Sequence, residues 1–185
     1  MTKQARTLDA KRLKQALGIL KTDRERVMVL LSVKAGLRAK EIAGLTWEQV
    51  DLDDRLLLLR DTKGGKPRNV PIAADLLEAL RAYREGLAVE EETVLTNEHN
   101  RPGQPLTANA VAWWFRDLYA RKLGWSDYSS HSGRRTFVTQ AARKIIEAGG
   151  SLKDVQALVG HADLKTTSGY IDTDEDAQRK VVDLL

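Results

Sequence analysis

Apolar residues recur at helical spacing along most of this chain, with one interruption at residues 55–72. The interrupting segment holds an apolar run at Leu56–Leu59, a Gly64-Gly65 turn and an extended stretch that ends at Pro71, which predicts one β-hairpin. The helical pattern predicts helices over 8–20, 27–33, 39–45, 73–87, 107–123, about 131–148, 152–159 and 163–171. The expected fold is therefore mainly α, with a small antiparallel β-hairpin or sheet.

Length and composition exclude several classes of protein. The chain has 185 residues and 42% hydrophobic content, which suits one substantial core and is short for two ordinary domains. It contains no run of about 18 apolar residues, and its first fifteen residues are polar and basic, so we expect a cytoplasmic protein without a membrane partner. With no cysteine and only three scattered histidines, we expect no metal site.

Charge is distributed unevenly along the chain. Residues 1–38 carry 10 basic and 3 acidic side chains, and residues 107–150 carry 7 and 3, whereas 39–106 and 151–185 are acidic. Such segregation is typical of a surface that faces a polyanion, although solvated helix faces account equally well for the charge alone.

Two local motifs place a cation where it could meet a ligand. In AGLRAKEIAGL, Arg38 lies between two predicted helices and could point into a site from a rigid corner, or could simply be a solvated charge at a helix end. In TKGGKPR, Lys63 lies beside the glycine turn and could swing over a substrate, or could belong to an ordinary polar turn. The second motif lacks the spacing of a phosphate-binding Walker loop.

Two further motifs lie in the last third of the chain. HSGRRTF places His131 and Arg134 three residues apart at a helix start, where amide dipoles and a bidentate guanidinium suit a phosphate; helix capping is the alternative. GHADLKTTSGY places Tyr170 nine positions after His161. A tyrosine attacks poorly unless cations stabilise its phenolate or a base takes its proton, and partial core burial is the alternative role for Tyr170.

Taken in order, these motifs resemble the catalytic set of the tyrosine recombinase, or phage integrase, family. The resemblance runs from about Thr7 to Ile171 and implies that family's catalytic-domain fold. Gly133 and Arg135 replace the leucine and histidine that flank the arginine in many relatives, which leaves the packing of that helix open. Relatives usually carry an additional N-terminal DNA-clamping domain, so we expect either a naturally minimal recombinase or an excised catalytic domain. The matching positions are Arg38, Lys63, His131, Arg134, His161 and Tyr170.

The resemblance implies an enzyme that cleaves and rejoins DNA through a 3′-phosphotyrosyl intermediate. It also implies that no cofactor is needed, because the phosphotyrosine keeps the energy of the cleaved bond. Tyr170 would be the nucleophile, and Arg38 with Arg134 would stabilise charge on the phosphate. His131 would exchange the tyrosine proton, His161 would hydrogen-bond a phosphate oxygen, and Lys63 would protonate the leaving 5′-oxygen. The alternatives are a catalytically idle DNA-binding regulator of the same fold and a DNA-relaxing topoisomerase with the same tyrosine chemistry.

The implied partners are double-stranded DNA, further protomers assembled on it as a synaptic tetramer, and accessory DNA-bending proteins. We expect residues 1–174 to form the catalytic domain and residues 175–185 to form a tail helix that docks on a neighbouring protomer or on its own chain. Phosphate contacts from the second basic block would fix the register of the protein on DNA. Its candidate residues are Arg116, Arg121, Lys122, Arg135, Arg143 and Lys144.

Overall fold

The computed structural model describes residues 5–60, 67–88, 91–97 and 103–169, together with Asp176, Arg179, Val182 and Asp183. Its α-helices are α1 (Ala10–Gly18), α2 (Asp23–Lys34), α3 (Ala39–Ala43), α4 (Ala74–Glu85), α5 (Ala108–Arg116), α6 (Ser130–Glu147), α7 (Leu152–Val159) and α8 (Leu164–Ser168). Its strands are β1 (Val50–Asp51), β2 (Leu56–Leu59) and β3 (Arg68–Pro71), with a 3₁₀ turn at Trp47–Gln49 and a π-helical turn at Asp117–Lys122.

Helix α2 forms the centre of the fold because its residues 27–33 are apolar on every side of the helix, apart from Ser32. All seven residues from Val27 to Val33 are buried, as expected for a helix enclosed by others rather than lying on a surface. It packs against α4 on one side and α6 on another. Thr22 begins α2 by accepting a hydrogen bond from the Glu25 amide at 3.2 Å. The main hydrophobic core is built around this helix.

The three strands form one antiparallel sheet in the order β1-β2-β3. Leu57 pairs with Val50 of β1 and with Val70 of β3. Burial alternates along β3, so Arg68 and Val70 face inward while Asn69 and Pro71 face outward. This alternation places a charged side chain, Arg68, on the buried face of the sheet, and β3 also contacts α7.

Helix α6 approaches α2 closely at Gly133. A Cβ at position 133 would collide with the Ser32 side chain and lie 3.1 Å from the Ser32 carbonyl carbon. Glycine at position 133 therefore allows the two helices to meet here. At its other end α6 shares a small apolar cluster with α7, including Val138, Ala142, Val155 and Val159.

The structure confirms the mainly α fold with a small antiparallel sheet. The predicted helices all have counterparts, although α8 is shorter than the predicted 163–171. Strand β1 was missed, because two residues are too few to show an alternating pattern. The predicted Gly64-Gly65 turn and most of the predicted tail helix lie outside the described residues. Within the described part of the chain, none of the helices has the length and hydropathy needed to cross a membrane.

Candidate active site

A buried carboxylate, Glu41 in the first turn of α3, is the centre around which the candidate site is built. Arg38 precedes α3, and its backbone N–H donates to Glu41 Oε2 at 2.8 Å, which closes the first turn of the helix. The Arg38 guanidinium then donates from Nη1 to Glu41 Oε1 at 3.1 Å. The Glu41 side chain is 7% exposed and that of Arg38 is 37% exposed, so Arg38 lies at the mouth of the site.

A second arginine, Arg68 of β3, binds the same carboxylate in a bidentate manner. Its Nη1 donates to Glu41 Oε1 at 3.0 Å and its Nη2 to Oε2 at 2.9 Å. The Arg68 side chain is only 3% exposed. Parallel two-point binding of a carboxylate by a guanidinium is among the strongest hydrogen-bonding arrangements that side chains form.

The third arginine, Arg134, enters from the first turns of α6 and is 4% exposed. Its Nη1 lies 4.0 Å from Glu41 Oε2 and donates to the Gly36 carbonyl at 2.6 Å. Its Nη2 donates to the Val159 carbonyl at 2.8 Å. Arg134 thus joins the corner before α3 to the end of α7, which is where the Gly160-His161 turn begins.

His161 reaches this cluster because Gly160 ends α7 in a left-handed conformation, with φ of 64°. The His161 Nδ1 lies 2.9 Å from the Thr167 hydroxyl of α8, and both residues are buried. The Gln156 side chain also donates to the His161 carbonyl at 3.1 Å. The imidazole is therefore held by α8, and the backbone of residue 161 is held by α7.

The electrostatics of the cluster follow from its burial and from its excess of cations. Burial alone would raise the pKa of Glu41, but the Arg68 hydrogen bonds, the Arg38 amide and the charges of Arg68 and Arg134 lower it overall. Burial, followed by the charges of Arg134, Arg38 and Arg68, lowers the pKa of His161 to about 4. Glu41 is therefore ionised and His161 is neutral at pH 7.

Of the six predicted catalytic residues, the structure describes four, and it places three of them in one cluster. Arg38 and Arg134 lie beside Glu41, and His161 lies close enough to these arginines for their charges to lower its pKa. His131 lies one helical turn before Arg134 but is exposed, and its backbone N–H donates to Ser129 Oγ at 3.3 Å. The remaining two, Lys63 and Tyr170, lie outside the described residues, although Gly169, next to Tyr170 in sequence, caps α8.

Sequence analysis missed Glu41 and Arg68, which the structure places at the centre of the cluster. The signal for Glu41 was its position three residues after Arg38, where a glutamate commonly closes the first turn of a helix. The signal for Arg68 was its spacing of two from Val70, which puts both side chains on one face of a strand. A buried arginine needs an acidic partner, and this partner is 27 residues away in sequence.

The predicted DNA-contact residues occupy different environments. Arg116, Arg143 and Lys144 are exposed, and Arg135 is half-buried. Arg121 forms an ion pair with Asp117 at 3.0 Å, and Lys122 lies 3.7 Å from Glu25 and 3.9 Å from Asp117. Within the ranges described, no group of three or more acidic, histidine or cysteine side chains is arranged to hold a metal ion.

Comparison with known proteins identifies the family. A sequence model of the phage integrase family matches residues 6–177. The chain is 36% identical over 147 residues to the tyrosine recombinase XerA of Thermococcus kodakarensis, which covers 80% of this chain and 50% of that protein. The chain therefore spans about half the length of this curated relative.

Solved structures share the fold. The crystal structure of XerA recombinase superposes with a TM-score of 0.75 at 24% identity, covering 95% of this chain and 63% of that one. The Tn1549 transposon integrase, solved in complex with circular intermediate DNA, superposes with a TM-score of 0.76 at 20% identity, covering 100% and 68%. The family match over nearly the whole sequence, and a fold shared with these proteins, show that this chain belongs to the phage integrase family of tyrosine recombinases.

Proposed function

We propose that this chain is the catalytic part of a site-specific DNA recombinase, which cleaves and rejoins DNA through a 3′-phosphotyrosyl intermediate. Its proposed substrate is double-stranded DNA, and its proposed place of action is the cytoplasm. The DNA complex of the Tn1549 integrase and the curated XerA relative support the substrate and the reaction, because both belong to the same fold and family.

The convergence of Arg38, Arg68 and Arg134 on one carboxylate is the observation that carries this proposal. Three guanidiniums around Glu41 leave the cluster with excess positive charge in a largely buried setting. Such a site suits an anion with several oxygens, and a DNA phosphate gains further negative charge in the transition state of phosphoryl transfer. Arginine suits the task because it is always charged and binds two oxygens at once.

In the proposed reaction, Tyr170 attacks the scissile phosphorus. A bond forms between the tyrosine oxygen and phosphorus, and the bond between phosphorus and the 5′-oxygen breaks. His131 takes the tyrosine proton, and Lys63 gives a proton to the departing 5′-oxygen. The phosphotyrosine keeps the energy of the phosphodiester, so a 5′-hydroxyl from another strand reverses the step without an external energy source.

His161 is assigned the role of a neutral hydrogen-bond donor to a non-bridging phosphate oxygen. A neutral imidazole with its proton on Nε2 must accept at Nδ1, and the Thr167 hydroxyl lies at hydrogen-bond distance from Nδ1. The lowered pKa of His161 means that its ring is neutral at pH 7 in the chain without DNA, so it offers the phosphate an N–H and not a positive charge.

Covalent capture of DNA tests the proposed nucleophile. A suicide substrate made from DNA of the chain's own genomic neighbourhood should form a covalent adduct with the wild type, and Tyr170→Phe should abolish the adduct while leaving noncovalent binding within a few-fold. Tyr83→Phe is the matched control and should still form the adduct. An adduct with the Tyr170→Phe protein would assign the chemistry to another tyrosine.

Strand exchange between two duplexes separates a recombinase from a relaxing topoisomerase, and adduct formation by the wild type separates both from an idle regulator.

Assembly of protomers on DNA belongs to the same proposal. We assign residues 175–185 to a tail that docks on a neighbouring protomer in a synaptic tetramer, with DNA-bending proteins as accessory partners. Among the tail residues described, Val182 is 68% exposed, which supports a need for an apolar surface elsewhere. Deleting 175–185 should leave the fold and suicide-substrate cleavage intact but impair synapsis and strand exchange. Equal recombination by the truncated and full chains would contradict the assigned role.

A further inference from the structure

Arg68 is a buried cation that none of the proposed catalytic steps uses. Both terminal nitrogens of its guanidinium bind Glu41, at 3.0 and 2.9 Å. Its side chain is 3% exposed. Its buried Nε makes no hydrogen bond within the described part of the chain. A guanidinium held in this way needs a structural or functional reason, because removing an arginine from water is costly.

Arg68 also touches the turn that carries His161. A Cβ at Gly160 would lie 3.0 Å from Arg68 Cδ and 3.1 Å from its Nη1, so the guanidinium lies directly against the backbone of residue 160. The same arginine is the first residue of β3. It therefore connects β3, the first turn of α3 and the turn after α7, which are separate segments of the candidate site.

We propose that Arg68 is a positioning residue for the cleavage reaction, which fixes the Glu41 carboxylate so that Arg38 and Arg134 keep the geometry required to bind the scissile phosphate. This proposal rests on the proposed function. In this proposal Arg68 acts through Glu41, whose two carboxylate oxygens are held by its two terminal nitrogens, and not through a contact of its own with the phosphate.

Removing Arg68 would take away the guanidinium that binds both oxygens of Glu41. Glu41 is ionised and 7% exposed, so it needs compensating cations within a short distance. Without Arg68, the nearby described cations are Arg38 at 3.1 Å and Arg134 at 4.0 Å, which are the two proposed phosphate ligands. The carboxylate would then draw both guanidiniums towards itself and compete directly with the DNA phosphate.

Single-turnover cleavage of a suicide substrate tests this role with three variants. Arg68→Met should slow cleavage by about a hundredfold, the scale expected when reacting groups are misplaced by about 1 Å, while the noncovalent Kd stays within about threefold. Arg68→Lys keeps the charge but loses bidentate geometry, so its rate should fall between those of the wild type and Arg68→Met. Arg68→Met combined with Glu41→Gln should cleave at least about tenfold faster than Arg68→Met, because the competing carboxylate is gone.

The outcomes separate this inference from the proposed function. If the wild type forms no adduct, the proposed function fails. If the wild type cleaves and Arg68→Met matches it, or if a weaker Kd accounts for its whole defect, the positioning role is wrong. A double variant no faster than Arg68→Met would also overturn the charge-competition argument.

An NMR titration of the His161 ring provides a readout that does not depend on activity. Arg68→Met should raise the pKa of His161, because one of the neighbouring positive charges is removed, whereas Arg68→Lys should change it less. Arg81→Met, which removes an exposed arginine of α4, is the control and should leave the titration unchanged. An unchanged titration in Arg68→Met would show that Arg68 does not act on the site electrostatically.

Discussion

At the scale of single residues, Arg38 combines two tasks that can be separated by mutation. Its backbone N–H closes the first turn of α3 on Glu41, and its partly exposed guanidinium is the proposed phosphate ligand. A change of side chain leaves the backbone bond in place, so the fold should tolerate it.

We predict that Arg38→Ala lowers the rate of suicide-substrate cleavage by more than about a hundredfold, the scale for losing one donor to a developing negative charge. Its melting temperature should stay within a few degrees of the wild type. Single-turnover rates check the first part and thermal unfolding checks the second. The wild-type rate should be the same with and without EDTA, because guanidiniums are proposed to stabilise the phosphate charge directly. Loss of wild-type cleavage in EDTA, restored by magnesium, would contradict this mechanism.

His161 makes the stability of the fold depend on pH. The pKa of its imidazole is about 4 in the folded chain against an ordinary value of 6.5, so the unfolded chain binds the proton more tightly. Its contribution to stability is present in full above pH 6.5 and is lost as the pH falls from 6.5 towards 4. Glu41, whose pKa is also lowered, adds a further loss below about 4.5.

We predict that the free energy of unfolding falls by on the order of 2 kcal/mol between pH 7 and pH 4.5, with His161 as a main contributor. Urea titrations at several pH values measure it. His161→Gln should flatten the dependence, whereas His131→Gln, which changes an exposed histidine, should keep the wild-type slope. A wild-type slope in His161→Gln would show that other groups dominate.

At the scale of elements, the contact between α2 and α6 depends on a small residue at position 133. Ser32 of α2 faces Gly133 of α6, and the Ser32 hydroxyl is buried without a hydrogen-bond partner among the described residues. The close approach brings Arg134, the next residue, to the corner that precedes α3.

We predict that Gly133→Ala lowers the free energy of unfolding by about 1–3 kcal/mol, the usual range for forcing an extra methyl into a packed core. Gly18→Ala is the matched control, because a Cβ at the end of α1 would meet nothing within 4 Å and the helix gains from losing a glycine. Ser32→Ala should be neutral or stabilising, because it removes an unsatisfied hydroxyl. Chemical unfolding of all three variants checks the comparison, and equal stability of Gly133→Ala and Gly18→Ala would contradict it.

At the scale of the whole molecule, the basic blocks differ in how much of their charge is already balanced. Arg121 and Lys122 lie beside Asp117 and Glu25, so their charges are partly neutralised within the chain. Arg143 and Lys144 are exposed on α6, and within the described residues neither has an ion pair of 4.0 Å or less. The pair Arg121 and Lys122, whose charge is partly balanced, can therefore be compared with the pair Arg143 and Lys144 for its contribution to DNA binding.

We predict that the chain binds DNA with a steep salt dependence, and that replacing Arg143 and Lys144 by glutamine reduces the magnitude of the slope of log K against log salt by about 1.8, or about 0.9 for each lost phosphate contact. Replacing Arg121 and Lys122 by glutamine should change the slope by much less. Fluorescence anisotropy at several salt concentrations measures both, and a larger change for the second pair would reverse this assignment.

Sequence patterns alone predicted the helical architecture and the strands flanking the hairpin turn, because these properties depend on local spacing. The proposed catalytic residues came from the resemblance of the ordered motifs to a known family. Apolar residues at helical intervals determine which segments become helices, and the ordered motifs around Arg38, Arg134 and His161 were enough to indicate the family. Gly160 also predicted the end of α7, since a glycine there permits the left-handed conformation that stops a helix.

Only the tertiary structure revealed that Glu41 and Arg68 form the centre of the cluster, and that His161 is held neutral beside three arginines. The bidentate pair joins residues 27 positions apart, and the contact of Arg134 with Gly36 spans 98 positions. The lowered pKa of His161 arises from burial and from charges on three separate elements. Local patterns do not encode such properties, because the partner of a buried charge is chosen by how the elements pack and not by its neighbours in the chain.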